Sequence, residues 1–430
     1  MQDFRRLLLG TLSAQSFGLI CGFCATVIFA RALGPSMRGE LALFMATLSV
    51  LAVAKILFVG GNHILLKEDN SRLQSLVGLS YISALSIGFI SLLVLSSNES
   101  LCGFLLGSSS LSMIVLLAVT LVLICVSESL RQLLSALQEI SFLNRVASIF
   151  NFGYLVIICS CFYFFEPDVN LAIYAYLIRV LAELLVLQIK IFYAGSFQMF
   201  YWKGIVHLLA ESLRLGVKGL GLSVGVILIL KSDLWQLALW SDSNSVGIYQ
   251  IGVGLCGLFW TVSNKLGYLI RTKALVEEDG EQRTLLIAQF IFYAGLLSWP
   301  FVMLSGKAFI SSMYGADYIN AAPVCSVLWG AVVLWAVATT LGSIMSIRQR
   351  IPIWIVVCLF LALIINVTLN SFLIPSFGML GAAYASLAAY AFVAMWHILK
   401  FSHLYQITAR CLLFPDFDRL RFKPTTASST

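Results

Sequence analysis

Apolar runs of about 20 residues recur twelve times along this chain of 430 residues, separated by short polar stretches. No other feature constrains the fold as tightly. A helix of that length crosses about 30 Å of hydrocarbon, and it satisfies its own backbone hydrogen bonds there. Twelve such helices use roughly 240 to 290 residues and leave no length for a large aqueous domain. The first six runs are Leu7–Ala30, Leu41–Gly61, Leu76–Leu95, Leu111–Val126, Val146–Phe165 and Leu171–Lys190. The second six are Gly216–Trp240, Val246–Ile270, Leu285–Leu304, Ala322–Ser346, Trp354–Ile374 and Leu380–Lys400. The fourth is expected to continue past Glu128 and Arg131. The first is too long for a cleavable signal peptide, and no small-x-small cleavage site leading into a soluble domain follows it, so it is expected to span.

Composition agrees. Hydrophobic residues make up 60% of the chain and charged residues 11%, against about a quarter charged in a soluble domain. The expected class is therefore an all-α polytopic membrane protein. The net charge of +7 does not indicate nucleic acid, because no run of five Lys or Arg occurs. Nearly all of the ten cysteines lie in apolar runs, and the Cys21-x-x-Cys24 pair reads as packing inside the first. Four scattered histidines (His63, His207, His397 and His403) make no metal site.

The basic residues orient the chain. The amino end, the loops after even-numbered spans and the tail hold 19 of the 27 Lys and Arg. The loops after odd-numbered spans hold three, Arg31, Arg38 and Lys307, and five lie within spans. By the positive-inside rule both termini are expected in the cytoplasm. A basic loop containing Lys203 divides the spans six and six. The expected layout is an amino-terminal lobe over 1–190, a cytoplasmic loop over 191–215, a second lobe over 216–400 and a cytoplasmic tail over 401–430. Pro167 precedes Ala175-Tyr176 by eight residues, and Pro375 precedes Ala383-Tyr384 likewise. Parallel repeats of this kind place a pseudo-twofold axis along the membrane normal and a site between the halves.

No phosphate-binding Walker loop, H-E-x-x-H or G-x-S-x-G stretch occurs. Catalytic residues, resident metals and cofactors are accordingly not expected. The candidates are the ionisable residues within spans, each costing about 2.5–3.5 kcal/mol at the helix centre if exposed to lipid. They are Lys55, Arg179, Glu183, Lys218, Lys231, Asp233 and Lys265. Lys218 and Lys265 lie close enough to a membrane face to snorkel. Arg179 and Glu183 stand at i, i+4 and can pair on one helix face. Five basic against two acidic residues make a cationic cavity, suited to an anionic solute such as a pyrophosphate. Trp235, Tyr249, Trp260, Trp329, Trp335, Asn366 and Asn370 lie at similar depth and are able to stack on or hydrogen-bond sugars. Interfacial belts and helix–helix hydrogen bonds are the other uses of such residues.

One stretch is more specific: Asn366-x-x-Leu369-Asn370-x-x-Leu373-Ile374-Pro375-x-x-Gly378-x-x-Gly381-Ala382-Ala383-x-Ala385. With it go Ala30-Arg31-x-Leu33-Gly34-Pro35 leading to Gly39, Lys231-x-Asp233, Val246-Gly247-Ile248-Tyr249, and Tyr314-Gly315 leading to Ala321-Ala322-Pro323-Val324. Through these the chain resembles the polysaccharide exporters of the multidrug/oligosaccharidyl-lipid/polysaccharide flippase superfamily, the O-antigen and capsule repeat-unit flippases. Met37-Arg38 before Gly39 departs from the family pattern, an acidic or small residue followed by an aromatic. The resemblance implies a MATE-like fold of two six-helix lobes in a bacterial inner membrane. It also implies transport of undecaprenyl-pyrophosphate-linked oligosaccharide, driven by an H+ or Na+ gradient. Lys55, Arg179, Lys231, Lys218 and Lys265 would then face the substrate, and Asp233 and Glu183 would couple the ion. A polysaccharide polymerase and a chain-length regulator would be partners alongside membrane lipid, and nucleic acid would not. A drug/cation antiporter of the same superfamily is the nearest rival. A peptidoglycan-precursor flippase and a membrane polysaccharide polymerase are further ones.

Overall fold

The computed structural model describes residues 2–194, 205–274, 280–349 and 352–406, and every regular element among them is helical. Lys203 and the tail beyond Gln406 lie outside the described residues, so the expectations for the connecting loop and the tail are described only in part. Eleven continuous helical stretches are long and apolar enough to cross a membrane. The first, Gly10–Glu68, has 59 residues, about 88 Å at 1.5 Å per residue, enough for two crossings. It contains a sharp break at Gly34, where φ is 70° and ψ 175°. Twelve crossings result, and an even number returns the chain to the side on which it began, here called the termini side.

That break differs from the turn expected between spans 1 and 2. Helix α1 (Gln2–Ala52) resumes at Pro35, so the connection shrinks to a kink at one glycine. Glycine reaches this φ without the Cβ clash that excludes other residues, and proline tolerates the start of the following turn. Arg38 therefore lies inside a helix rather than in an outer loop, and it is buried. The second crossing is itself broken. Short helices α2 (Lys55–Val59) and α3 (Asn62–Glu68) follow, with the Gly60-Gly61 pair between them.

The remaining helices of the first half are α4 (Leu73–Ser97), α5 (Glu99–Leu106), α6 (Leu111–Ala136), α7 (Ile140–Phe164) and α8 (Val169–Ala194). As expected, α6 runs past Glu128 and Arg131. Helix α5 is a short cap on the far side that apolar periodicity did not indicate. The second half comprises α9 (Ile205–Trp240), α10 (Ser243–Ala274), α11 (Gly280–Tyr314), α12 (Ala321–Arg348), α13 (Ile353–Phe377) and α14 (Met379–Tyr405). Asp242 caps α10 by accepting the Ser245 N–H at 2.8 Å, and this bond holds its carboxyl below the usual aspartate range. Gly378, with φ 56°, makes the tight turn into α14.

One apolar core runs through the first half, from Ala25 to Leu208, and two smaller ones lie within the second. Two further clusters join the halves near the far side. Ala42, Leu43 and Ala46 of α1 pack with Leu234, Leu237 and Val246, and Ala30 packs with Ile248, Ile251 and Ile310. Helix α7 is peripheral, with Ile149 66% and Phe152 56% exposed on a face that suits lipid.

Candidate functional site: a basic ladder and a buried carboxylate

The seam between the halves is in contact near both membrane faces. On the far side Gly39 and Gly247 meet so closely that a methyl group on either would overlap a carbonyl oxygen, of Ser243 or Pro35 respectively. Arg31 crosses the seam to the end of α11, donating to the Met313 and Ser312 carbonyls at 2.8 and 2.5 Å. A cation there also opposes the negative end of the helix dipole. Tyr318 Oη donates to the Ala30 carbonyl at 3.1 Å, and Trp235 Nε1 reaches Thr47 Oγ1 and the Leu105 carbonyl at 3.2 Å each. On the termini side Gly216 leaves no room for a side chain against the Ile56 and Leu57 carbonyls. Arg72 there bonds Glu211 at 3.1 Å.

The first half holds a connected set of ionised and aromatic side chains. Lys55, at the break between α1 and α2, is buried and ion-pairs with Glu128 of α6. The two line a cavity of about 210 Å³ together with Ser49, Ile56 and Tyr176. Glu183 of α8 is 3% exposed and ion-pairs with Arg131 of α6 and with Arg179, the latter at 3.7 Å. Arg179 also donates to Asn151 Oδ1 at 3.1 Å and lies over the rings of Tyr154 and Tyr176 at 5.7 and 5.8 Å. Sequence reasoning picked out Lys55, Arg179 and Glu183 from this set. It left Glu128 and Arg131 at the end of a span and Arg38 in a turn. The i, i+3 spacing of Glu128 and Arg131, which puts both on one face of α6, was the available signal.

The second half holds a different arrangement. Asp233 of α9 is buried and pairs with no cation among the described residues. It accepts from Tyr249 Oη at 2.8 Å, Asn370 Nδ2 at 2.9 Å and Ser386 Oγ at 2.5 Å. Asn370 also donates to Asn366 Oδ1 at 3.1 Å, which Ser232 Oγ reaches at 3.0 Å. One acceptor of this set, Asn370 Oδ1, is buried without a hydrogen-bond partner. Four helices, α9, α10, α13 and α14, thus converge on one carboxylate. Lys231, two residues away, points off this cluster, as an i, i+2 pair must. It is half-buried and forms no ion pair among the described residues.

The other sequence candidates fall elsewhere. Lys265 Nζ reaches the Gln15 carbonyl at 3.3 Å near the termini side, which fits snorkelling better than a deep site. The side chain of Lys218 lies outside the described part of α9. Trp235, Tyr249 and Trp335 are buried in helix packing, and Asn366 and Asn370 are wholly buried, so these five present no face to a sugar. Among the described residues no group of His, Cys, Asp and Glu is arranged to hold a metal. A second, largely apolar cavity of about 500 Å³ lies among α9, α12, α13 and α14, with His397 on its wall.

No family model matches the chain, and no curated protein sequence is similar to it. Solved structures do match in shape. A lipid II flippase, MurJ, in its inward closed conformation superposes with a TM-score of 0.72 at 15% identity, covering 94% of this chain and 89% of that one. An inward-facing multidrug resistance MATE family transporter of the MOP superfamily gives 0.61 at 13% identity, over 93% and 99%. A MOP superfamily transporter from Pyrococcus furiosus, described as having a binding pocket of reverse polarity, gives 0.56 at 14% identity, over 95% of each chain. These neighbours are carriers, not enzymes, and their identities are low enough that they speak to the fold alone. This chain has the fold of the MOP-superfamily transporters.

Proposed function

We propose that the protein is a flippase for a polyprenyl-pyrophosphate-linked oligosaccharide, of the O-antigen, capsule or exopolysaccharide kind, in a bacterial inner membrane with both termini cytoplasmic. The observation that carries this reading is the charge of the first half. Arg38, Lys55, Arg131 and Arg179 stand against Glu128 and Glu183, a surplus of two positive charges beside the seam. Guanidinium and ammonium groups hold a diphosphate by charge-assisted hydrogen bonds. A cationic drug would be repelled by the same surface. The lipid tail stays in the bilayer while the head crosses, and the chain performs no covalent chemistry.

Coupling to H+ or Na+ is assigned to Asp233. A buried carboxylate with three donors and a vacant neighbouring acceptor, Asn370 Oδ1, suits uptake of a proton or a small oxygen-loving cation. Tyr249 links that event to Gly247, two residues earlier on α10 and in the far-side seam. Glu183 is committed to Arg131 and Arg179, so its part is to hold the two arginines in place. A polymerase and a chain-length regulator are the partners expected to receive the product.

Deleting the gene should make lipid-linked repeat units accumulate in the inner leaflet and reduce surface polysaccharide. Unchanged lipid intermediates would refute the reading. In the complemented strain, Lys55→Ala, Arg179→Ala and Lys231→Ala should each lower transport without lowering membrane abundance.

Two other readings have specific support. The fold likeness to a lipid II flippase favours a peptidoglycan precursor as cargo, in which case depletion arrests wall synthesis instead. The apolar cavity of about 500 Å³ falls within the size range of small-molecule sites. Raised drug sensitivity of the deletion strain would select a drug carrier.

A further inference from the structure

Arg38, part of a departure from the family pattern, lies inside helix α1 and is 9% exposed. Its guanidinium lies over the Phe29 ring at 5.8 Å. Tyr154 of the first half and Tyr314 and Tyr318 of the second are the titratable groups around it. No carboxylate forms an ion pair with it among the described residues, and its Nε is buried with no hydrogen-bond partner. A buried, unpaired cation is among the costliest groups a membrane protein carries. Every other basic side chain of the ladder is ion-paired, Lys55 with Glu128, and Arg131 and Arg179 with the shared Glu183. Tyrosines from both halves thus surround a positive centre whose Nε–H has no acceptor among the described residues.

A chain of aromatic rings connects Arg38 with the rest of the ladder. The Phe29 ring is 6.3 Å from Tyr154, Tyr154 is 5.9 Å from Tyr176, and Arg179 lies over both tyrosines. Tyr176 in turn lines the cavity shared by Lys55 and Glu128. Arg38 lies four residues past the Gly34 kink and Lys55 seventeen residues further on, about 25 Å along the helix. That separation is most of the thickness of the hydrocarbon core.

We propose that Arg38 is a second, far-side anion station, which takes a diphosphate handed on from the Lys55–Arg131–Arg179 station along the intervening tyrosines. This deepens the flippase reading and rests on it for the identity of the cargo. The anion site itself stands on the geometry alone. In the closed seam no carboxylate among the described residues pairs with this station. The arriving diphosphate supplies the missing charge, and opening of the far side releases it to the outer leaflet.

The test is calorimetric titration of the purified full-length protein with inorganic pyrophosphate, in nanodiscs of phosphatidylcholine. Wild type should bind at two sites. Arg38→Met should abolish one, by about tenfold or more in affinity, and leave the other unchanged. Arg38→Lys should keep both, and Lys55→Met should lose the complementary one. Where Arg38→Met does not fold, as judged by its melting temperature, Arg38→Gln serves in its place. Wild type that binds no pyrophosphate, or a binding curve that Arg38→Met leaves unaltered, overturns the proposal. The titration is repeated in nanodiscs containing phosphatidylglycerol. If the Arg38 site then vanishes from wild type, its occupant is a bulk lipid headgroup, and the relay is overturned. Failure of the flippase reading shows separately, as unchanged lipid intermediates in the deletion strain, and leaves these binding results untouched.

Discussion

At the scale of single residues, the two buried carboxylates are held in opposite ways. Glu183 is neutralised by two arginines, while Asp233 is held by neutral donors with no cation beside it among the described residues. Asp233→Leu should therefore destabilise the protein by about 1–3 kcal/mol, because Tyr249, Asn370 and Ser386 lose their acceptor. Asp233→Asn preserves shape and most of the bonding, and should unfold near the wild-type temperature while transport loses its dependence on the ion gradient. Thermal unfolding in detergent and gradient-dependent transport read the two effects separately. An Asn variant that still responds to the gradient removes Asp233 from the coupling role. The Lys55–Glu128 pair admits a similar separation. Removing Glu128 leaves the Lys55 charge buried without its partner, so the Lys55→Met/Glu128→Gln double variant should be more stable than Glu128→Gln alone. It should nevertheless transport poorly, since the cation itself is what the cargo meets.

At the scale of elements, helix breaks decide where the site lies. Gly34 turns α1 back into the membrane and so carries Arg38 inside, and the interruption after Ala52 places Lys55 at the start of a new helical turn. The far-side seam depends on α1 and α10 approaching without side chains at Gly39 and Gly247. Gly39→Ala should oppose the far-side-closed state by about 1–3 kcal/mol, roughly a 5- to 150-fold shift in its population. Transport should fall accordingly. Gly254→Ala, on the same helix as Gly247, meets nothing within 4 Å and should transport normally. Equal transport by both variants would mean that this crossing does not gate the carrier.

At the scale of the whole molecule, the two halves touch near both faces, which for the proposed carrier corresponds to an occluded state of an alternating cycle. The termini-side contact includes the Arg72–Glu211 pair, whose side chains are 29% and 34% exposed. Partly exposed pairs of this kind contribute only about 0–1 kcal/mol, which suits a latch that must open in every cycle. Arg72→Glu should place two like charges across the seam and speed amide hydrogen exchange around Leu57–Gly60 and Gly216. Adding Glu211→Arg should restore protection. Exchange that stays the same in both variants would show that the glycine contacts alone close this side.

The chain's membrane character, its number of crossings and the basic sign of its deep charges could be read from the sequence. They depend on run length, hydropathy and the cost of a charge in lipid, all of which are local. Lys55, Arg179, Glu183 and Asp233 stood out for the same reason: an ionisable group within an apolar run is conspicuous whatever surrounds it. Local reasoning misplaced Arg38, since a basic residue after Gly-Pro looks like a turn until the helix is seen to resume at once. It also kept Asn366 and Asn370 open as sugar ligands, because only the convergence of α9, α10, α13 and α14 shows that they face Asp233. Which cation meets which carboxylate depends on residues that lie far apart in the chain, Lys55 with Glu128 and Arg131 with Glu183. Pairing of that kind follows from how α2, α6 and α8 pack together within the first half, and the order of residues along any one helix does not contain it.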